Sequence, residues 1–244
     1  MILLFTDYGI SDPYCGLMKS VIRDISPDAA IIDLLHHAPD FNILASAHLL
    51  AAMSSRISIG SVCVAVVDPG VGSERNAVVM LADEKWFIGP DNGLLSVVAE
   101  RANKVELWRI DWRPENLSNS FHGRDLFAPI AAWIENGAFP HSKLSDLARL
   151  HVSLNSHDLA EVIYIDHYGN ILTGVRAIKV TRDTRFIFGS RLITYARVFS
   201  DAIPGKPFWY ENSLGLVEFS LNGDSAAQFM GASVGDQFEI HLPS

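Results

Sequence analysis

Three aspartates each follow a short apolar stretch in the first half of the sequence. Asp7 comes after a run that begins at Ile2, Asp68 ends an unbroken run that begins at Val62, and Asp91 lies in a Gly-Pro-Asp-Asn-Gly turn. The carboxyl ends of parallel strands meet at the edge where open α/β sheets bind their ligands. The sequence therefore predicts that the three carboxylates cluster at one sheet edge, where they can contact a polar ligand.

Two further side chains could complete a site with Asp68. A Pro-Gly-Val-Gly turn follows this aspartate, and Arg75 lies seven residues beyond it, close enough for the loop to bring the guanidinium onto the carboxylate. His122, beside a glycine and just before a predicted helix, can present its ring to a pocket. Taken singly, these residues also have a structural interpretation: a turn-capping aspartate, a surface arginine and a histidine bonded to nearby backbone. At the level of these residues both interpretations remain open.

The segments that carry these side chains show the alternation of strands and helices. Helical spacing is present at 14–25, 43–51, 94–101 and 126–135, and Asn42 precedes the second of these helices as its predicted cap. Strands are predicted at 2–5, 30–35, 62–67, 77–81, 85–88 and 105–110. This order predicts an α/β domain over residues 1–150, in which a mostly parallel sheet is flanked by helices.

Beyond about residue 155 the pattern changes to short strands separated by turn residues. They are predicted at 161–165, 171–175, 185–188, 208–210, 214–221 and 237–241, which indicates a smaller antiparallel β-barrel domain over residues 158–244. The stretch from Asp166 to Thr173, which contains Asn170, suits recognition of a polar small molecule. The same composition is also ordinary hairpin chemistry. The turn that contains Ser213 has the same two interpretations.

Composition limits the classes of partner. A formal charge of −9 without basic clusters argues against nucleic acid. No apolar run approaches the ~18 residues of a membrane span, and the N-terminus is predicted to be a first strand and not a signal peptide. Two cysteines without metal-type spacing indicate reduced thiols in a cytoplasmic protein. No two histidines have the spacing of a metal-binding pair, so no metal site is expected.

Six motifs occur in order along the chain. They are Thr6-Asp7-Tyr8-Gly9, the stretch from Val66 to Gly72 with Arg75, Gly89 to Gly93, Phe121 to Asp125, Asp166 to Thr173, and Asn212-Ser213. Together they resemble the S-adenosyl-L-methionine (SAM) hydrolase family, also called SAM hydroxide adenosyltransferases, which are relatives of the enzymes that add fluoride or chloride to SAM. The resemblance implies hydrolysis of SAM to adenosine and L-methionine by attack of water on the ribose 5′-carbon. It also implies a homotrimer that uses SAM as its substrate without a cofactor. SAM would bind between the N-terminal domain of one subunit and the C-terminal domain of its neighbour.

The resemblance implies roles for five residues of the N-terminal domain. Asp68, Arg75 and His122 match the family's water-holding triad. Asp7 matches the acid that bonds the ribose hydroxyls, and Phe41 falls where the halogenating relatives place an aromatic ring beside the ligand.

Four residues of the C-terminal domain match in the same way. Asp166 matches the acid that faces the methionine amino group, and Asn170 matches the amide that reads adenine. Phe199 falls at an aromatic position around the ligand, and Ser213 at a contact to the methionine carboxylate. Leu214 departs from the pattern, because the fluorinating relatives carry an arginine there for the same carboxylate.

Two other functions stay open at this point. A SAM-dependent halide adenosyltransferase would share the motifs, although a carboxylate at the nucleophile position repels halide. A non-catalytic sensor of SAM or adenosine would bind the same ligand without turnover. The products formed from SAM separate the three functions: adenosine with methionine, a halo-adenosine, or unchanged SAM.

Overall fold

A computed structural model describes residues 1–242 of the chain. It contains two compact units, Met1–Ser156 and a second unit that begins at His157. The last two residues of the predicted 158–244 domain lie outside the described residues. Within the described part, no helix is both long and apolar enough to cross a membrane.

The N-terminal unit is built on one seven-stranded sheet. Its strands are β1 (Ile2–Thr6), β2 (Ile31–Leu35), β3 (Val62–Val66), β4 (Ala77–Ala82), β5 (Lys85–Pro90), β6 (Val105–Ile110) and β7 (Leu144–Asp146). Its helices are α1 (Pro13–Ile25), α2 (Ile43–Ser54), α3 (Ser96–Arg101) and α4 (Ala128–Glu135), and a π-helical turn at Gly123–Phe127 leads into α4. The side chain of Asn42 accepts a hydrogen bond from the amide of Ala45 at 3.0 Å, which confirms the predicted cap of α2.

The strand order of this sheet is β2-β1-β3-β5-β4-β6-β7. β1 and β3 are buried along their whole length, as expected of central strands covered on both faces. Strands β2, β1, β3 and β5 are mutually parallel, whereas β4, β6 and β7 add antiparallel pairs. The prediction of a mostly parallel sheet is therefore wrong, because the sheet is mixed.

A tight turn explains the difference. Asp83 and Glu84 join β4 to β5, and both have positive φ angles, 43° and 62°. A two-residue turn can connect only antiparallel neighbours, since a parallel pair needs a crossover of about a dozen residues or more. The strand β5 then pairs with β3, and β4 lies on the side of β5 away from β3.

The C-terminal unit is a second seven-stranded sheet. Its strands are β8 (Leu159–Ile165), β9 (Ile171–Arg176), β10 (Arg185–Phe188), β11 (Arg191–Tyr195), β12 (Phe208–Glu211), β13 (Leu216–Ser220) and β14 (Glu239–His241), and its one α-helix among the described residues is α5 (Ala226–Met230). The order is β14-β10-β11-β12-β13-β9-β8. The sheet curls, because backbone hydrogen bonds also join the segment before β14 to β8, for example from Val162 to Asp236 at 2.9 Å.

The predicted antiparallel barrel is correct only in part. One pair, β11 with β12, is parallel, and the connection between them is long enough for a crossover and includes a 3₁₀ turn at Phe199–Asp201. The strand β11 was not predicted, although Gly189 before it, with φ 60°, is a turn signal. The unit has its own apolar core, in which Phe186, Trp209 and Phe219 are almost fully buried.

Candidate functional site

The loop after β3 brings Arg75 onto Asp68. The Nε of Arg75 donates to Oδ1 of Asp68 at 2.8 Å, and Nη2 donates to Oδ2 of the same carboxylate, so the pair is bidentate. The side chains are only 4% (Asp68) and 9% (Arg75) exposed. Gly72 allows this path: its φ is 80°, and a Cβ there would lie 2.3 Å from the carbonyl oxygen of Asn119.

His122 joins the pair from the segment before the π-helical turn. Its Nδ1 lies 3.1 Å from Nη2 of Arg75. Because a guanidinium has only donors, Nδ1 must accept, and the neutral ring then carries its proton on Nε2. Burial lowers the pKa of His122, and the neighbouring Arg75 charge lowers it further, which favours this neutral form. The cluster thus offers a carboxylate acceptor at Asp68 and an N–H donor at His122.

A cavity of about 390 Å³ lies beside this cluster and is called the N-terminal cavity. Its lining includes Asp7 and Asp68, which follow β1 and β3 at the same sheet edge, and Phe41. Burial raises the pKa of Asp7, against the lowering effect of a hydrogen bond from the Phe41 amide to its Oδ2 at 3.5 Å. The Phe41 side chain is 76% exposed, and its φ of 57° is unusual for a residue other than glycine.

Asp91 has a different surrounding from the other two strand-ending aspartates. Both its carboxylate oxygens accept from the amide of His151 at 3.0 Å, and Oδ1 also accepts from the amide of Val152 at 3.5 Å. It does not line the N-terminal cavity. Asp91 therefore anchors the segment around residue 151, and the cluster of three ligand-facing acids expected from the sequence contains only Asp7 and Asp68.

A second cavity, of about 760 Å³, lies in the C-terminal unit and is called the C-terminal cavity. Asp166, Asn170, Phe199 and Ser213 all line it. The side-chain Nδ2 of Asn170 donates to Oδ2 of Asp166 at 2.9 Å, and the backbone N–H of Asn170 donates to Oδ1 of the same carboxylate at 2.8 Å. Gly169 makes this turn possible, because its φ is 82° and a Cβ there would lie 2.0 Å from the hydroxyl oxygen of Ser225.

Sequence reasoning missed several lining residues. In the N-terminal cavity they are Tyr8, Asp12, Tyr14 and Asp40, and in the C-terminal cavity the most notable are Tyr210 and Glu218. Glu218 could have been found, since it is a charged residue inside a strand that is otherwise uncharged and mostly apolar, where a carboxylate needs partners. Asp12 and Asp40 gave no signal, because they lie in polar loops where an acid is unremarkable.

The fold and the site together define a class of protein. It has two compact units, and an Asp–Arg–His cluster lies at the carboxyl ends of the parallel strands of the first unit. Family comparisons agree with that description. Residues 2–144 match the SAM hydroxide adenosyltransferase N-terminal domain, and residues 160–239 match the C-terminal domain of the same family. The chain therefore belongs to the SAM hydroxide adenosyltransferase family.

Individual relatives show the same affiliation. The chain is 36% identical to the (R)-S-adenosyl-L-methionine hydrolase of Salinispora arenicola, with 96% of this chain and 95% of that protein covered. It is 22% identical to the fluorinase of Nocardia brasiliensis over 72% of this chain and 71% of that protein. A crystal structure of an uncharacterized conserved protein from Thermotoga maritima is similar with a TM-score of 0.89 and 33% identity, covering 98% of this chain and 99% of that one.

Proposed function

We propose that this protein hydrolyses SAM to adenosine and L-methionine. The observation that carries the proposal is the buried contact of Asp68, Arg75 and His122 beside the N-terminal cavity. Of the three, Asp68 lines the cavity, and its carboxylate acceptor and the imidazole N–H of His122 are the groups that we assign to one water molecule. Relatives named (R)-S-adenosyl-L-methionine hydrolase that align over almost the whole chain support the same function.

The proposed reaction is an in-line displacement at the ribose 5′-carbon. The water oxygen forms a bond to that carbon, the carbon–sulfur bond breaks, and sulfur keeps the electron pair as the neutral thioether of methionine. The sulfonium of SAM is already a good leaving group, so no general acid is needed. Placement of the two reactants in this geometry contributes about 7–11 kcal/mol to lowering the barrier.

The triad would hold the attacking water. His122 donates from Nε2 to the water oxygen, and Asp68 accepts one of the water protons while keeping its two bonds to Arg75. One lone pair of the water then points toward carbon. The proton leaves late, as the new bond forms, because bulk water has a pKa of about 15.7 and becomes acidic only when its oxygen is bonded to carbon.

The remaining predicted residues would bind the substrate. Asp7 would bond the ribose hydroxyls, with Phe41 beside the ligand. In the C-terminal unit, Asp166 would face the methionine ammonium and Asn170 the adenine. Phe199 and Ser213 would complete the pocket. SAM is the substrate in this scheme, and the scheme requires no other cofactor.

We further propose a homotrimer in which each site takes its N-terminal cavity from one subunit and its C-terminal cavity from the neighbour. Support comes from the distribution of the candidate residues: the water-holding triad lies in one compact unit, and Asp166 with Asn170 lies in the other. Each unit also has its own cavity with carboxylates and exposed aromatic rings.

Chromatography of the products formed from SAM tests the function directly. Adenosine and methionine in equal amounts are expected. A halo-adenosine in the presence of halide would identify an adenosyltransferase for halide, and unchanged SAM with measurable binding would identify a sensor. Either of these two results contradicts the proposed hydrolysis.

Activity is expected to fall at low pH as His122 gains a proton. A protonated ring carries N–H at Nδ1, which would face the guanidinium of Arg75 and break that hydrogen bond. Since burial lowers the His122 pKa, the midpoint should lie below the ordinary histidine value of about 6.5. Activity is therefore retained above that midpoint and lost as the pH falls through it.

The measurement is a pH profile of kcat/KM, paired with ¹⁵N NMR of the histidine rings. The His122 signals are assigned from their loss in His122→Asn. The neutral ring should show its proton on Nε2. A His122 that titrates above about 6.5, or that carries its proton on Nδ1, would contradict the assigned hydrogen-bond direction.

Asp7→Asn is expected to raise KM for SAM about tenfold or more, because a hydrogen bond to a charged group is lost, while kcat changes little. The amide keeps the size of the side chain at this partly buried position. Steady-state kinetics test the expectation, with Asp24→Asn, an exposed aspartate on α1, as the matched control. An unchanged KM in Asp7→Asn would remove Asp7 from the ribose site.

A further inference from the structure

Glu218 is a buried carboxylate with no role in the reaction described above. It lies on β13, is only 5% exposed, and lines the C-terminal cavity. Its neighbours Val217 and Phe219 belong to the apolar core of the unit, so Glu218 points to the opposite face of the strand. A carboxylate in such a place is stable only if both oxygens have partners.

Both oxygens do have partners, and these lie on two different elements. The hydroxyl of Tyr210, which is directly opposite on β12, donates to Oε1. The Nδ2 of Asn212 donates to Oε2 at 2.9 Å. Burial raises the pKa of Glu218, with the charge of Asp166 in the same direction, whereas these two hydrogen bonds lower it.

Asn212 transmits this contact to the turn that carries Ser213. Its Oδ1 accepts from the amides of Leu214 at 2.9 Å and Leu216 at 3.0 Å, which closes the turn. The Asn212 side chain thus bonds the turn with its oxygen and Glu218 with its nitrogen. Breaking the bond to Glu218 would free the asparagine to rotate and would loosen the turn at Ser213.

Tyr210 transmits the second contact. Its ring packs against Phe199, with centroids 5.5 Å apart, and against Phe208 at 5.9 Å. Glu218 therefore fixes one wall of the cavity through the tyrosine hydroxyl and another through the turn. Among the residues that the structure describes, no lysine or arginine lines this cavity, so none of their cationic side chains is placed there to bond Glu218 instead.

We propose that Glu218 is a positioning residue for SAM, which holds the Ser213 turn through Asn212 and so sets the affinity for the methionine end of the substrate. The proposal rests on the proposed function, because it assigns the C-terminal cavity to SAM. It predicts that ligands without the methionine moiety are insensitive to Glu218.

Glu218→Met tests the proposal, since it keeps a similar side-chain length but leaves neither the Tyr210 hydroxyl nor the Asn212 amide an acceptor. A glutamine would not serve, because its NH₂ group can donate to the tyrosine hydroxyl while its oxygen still accepts from Asn212. Calorimetry should show SAM affinity lowered about tenfold or more, as for a lost charge-assisted bond, with adenosine affinity within about twofold of the wild type. In kinetics KM should rise more than kcat falls. The control is Glu211→Met, at an exposed glutamate on β12, with both affinities unchanged.

Asn212→Asp is the second variant, which keeps the oxygen that closes the turn and replaces the NH₂ group that donates to Glu218 by a second oxygen. A loss that is again specific to SAM is expected, and this variant decides the question if Glu218→Met does not fold. Equal losses of SAM and adenosine affinity, or no loss of SAM affinity, overturn the proposal. If the wild type hydrolyses SAM and the variants bind SAM normally, the positioning role of Glu218 is wrong and the proposed function stands. If the wild type binds no SAM, both the positioning role of Glu218 and the proposed function are wrong.

Discussion

Asp68→Ala is expected to abolish turnover while SAM still binds. The proposed role of Asp68 is to accept a proton from the attacking water and not to contact the substrate. Loss of a positioned proton acceptor typically lowers the rate about 10²–10⁴-fold. Single-turnover kinetics should therefore show this decrease in the chemical step, and calorimetry should show SAM affinity within about threefold of the wild type, less than the tenfold that corresponds to 1.4 kcal/mol.

The alanine variant also leaves the Arg75 charge without its carboxylate partner. Because both side chains are almost completely buried, that loss is expected to destabilise the loop. Asp68→Asn keeps the size and one acceptor oxygen, and it should be as inactive as the alanine variant but better folded. Asp111→Asn is the matched control, since Asp111 pairs with Arg109 at 2.6 Å on the exposed surface of the same unit. Loss of SAM binding together with activity would instead assign Asp68 to substrate recognition.

Mixing two inactive variants is expected to restore activity. Asp68→Ala removes the proposed proton acceptor of the N-terminal unit, and Asn170→Ala removes an amide that donates to Asp166 in the C-terminal unit. In the proposed trimer a site needs an intact N-terminal unit from one subunit and an intact C-terminal unit from its neighbour. After random exchange in equal amounts, about one quarter of the sites meet that condition in a closed ring with head-to-tail contacts.

The measurement is activity per mole of chain before and after subunit exchange, with exchange followed by native mass spectrometry of chains that carry different tags. Each variant incubated alone is the control and should stay inactive. If mixed oligomers form and activity remains at the level of the separate variants, each site lies within one chain. A protein that remains a monomer at all concentrations would contradict the trimer itself.

The sequence alone identified the elements whose signals are local. The run before Asp68 predicts a strand with apolar neighbours on both faces, and β3 is buried throughout. The asparagine cap of α2 is where a capping side chain is expected. The six motifs also identified the family. They consist largely of glycines and acids in turns, whose positions depend on the local backbone and can therefore be read from neighbouring residues.

Strand direction and partner choice were decided only by the tertiary structure. Apolar periodicity gives the same pattern for a buried strand with parallel neighbours and for one with antiparallel neighbours, so the antiparallel pairing of β4 with β5 and β6 could not be predicted. The unpredicted strand β11 pairs in parallel with β12 after a long connection, and nothing in the residues of either strand specifies that direction.

The sequence by itself determined which residues stand at the ends of strands, and therefore that Asp7 and Asp68 share one sheet edge. Apart from the family resemblance, it could not show that Arg75 also contacts His122, which lies 47 positions away, or that Asp91 accepts hydrogen bonds from backbone amides near residue 151. Nor could it show that Glu218 holds a turn through Asn212. Such contacts depend on the path of the chain between distant segments. Residue type also does not show whether a carboxylate binds a ligand or accepts hydrogen bonds from backbone amides.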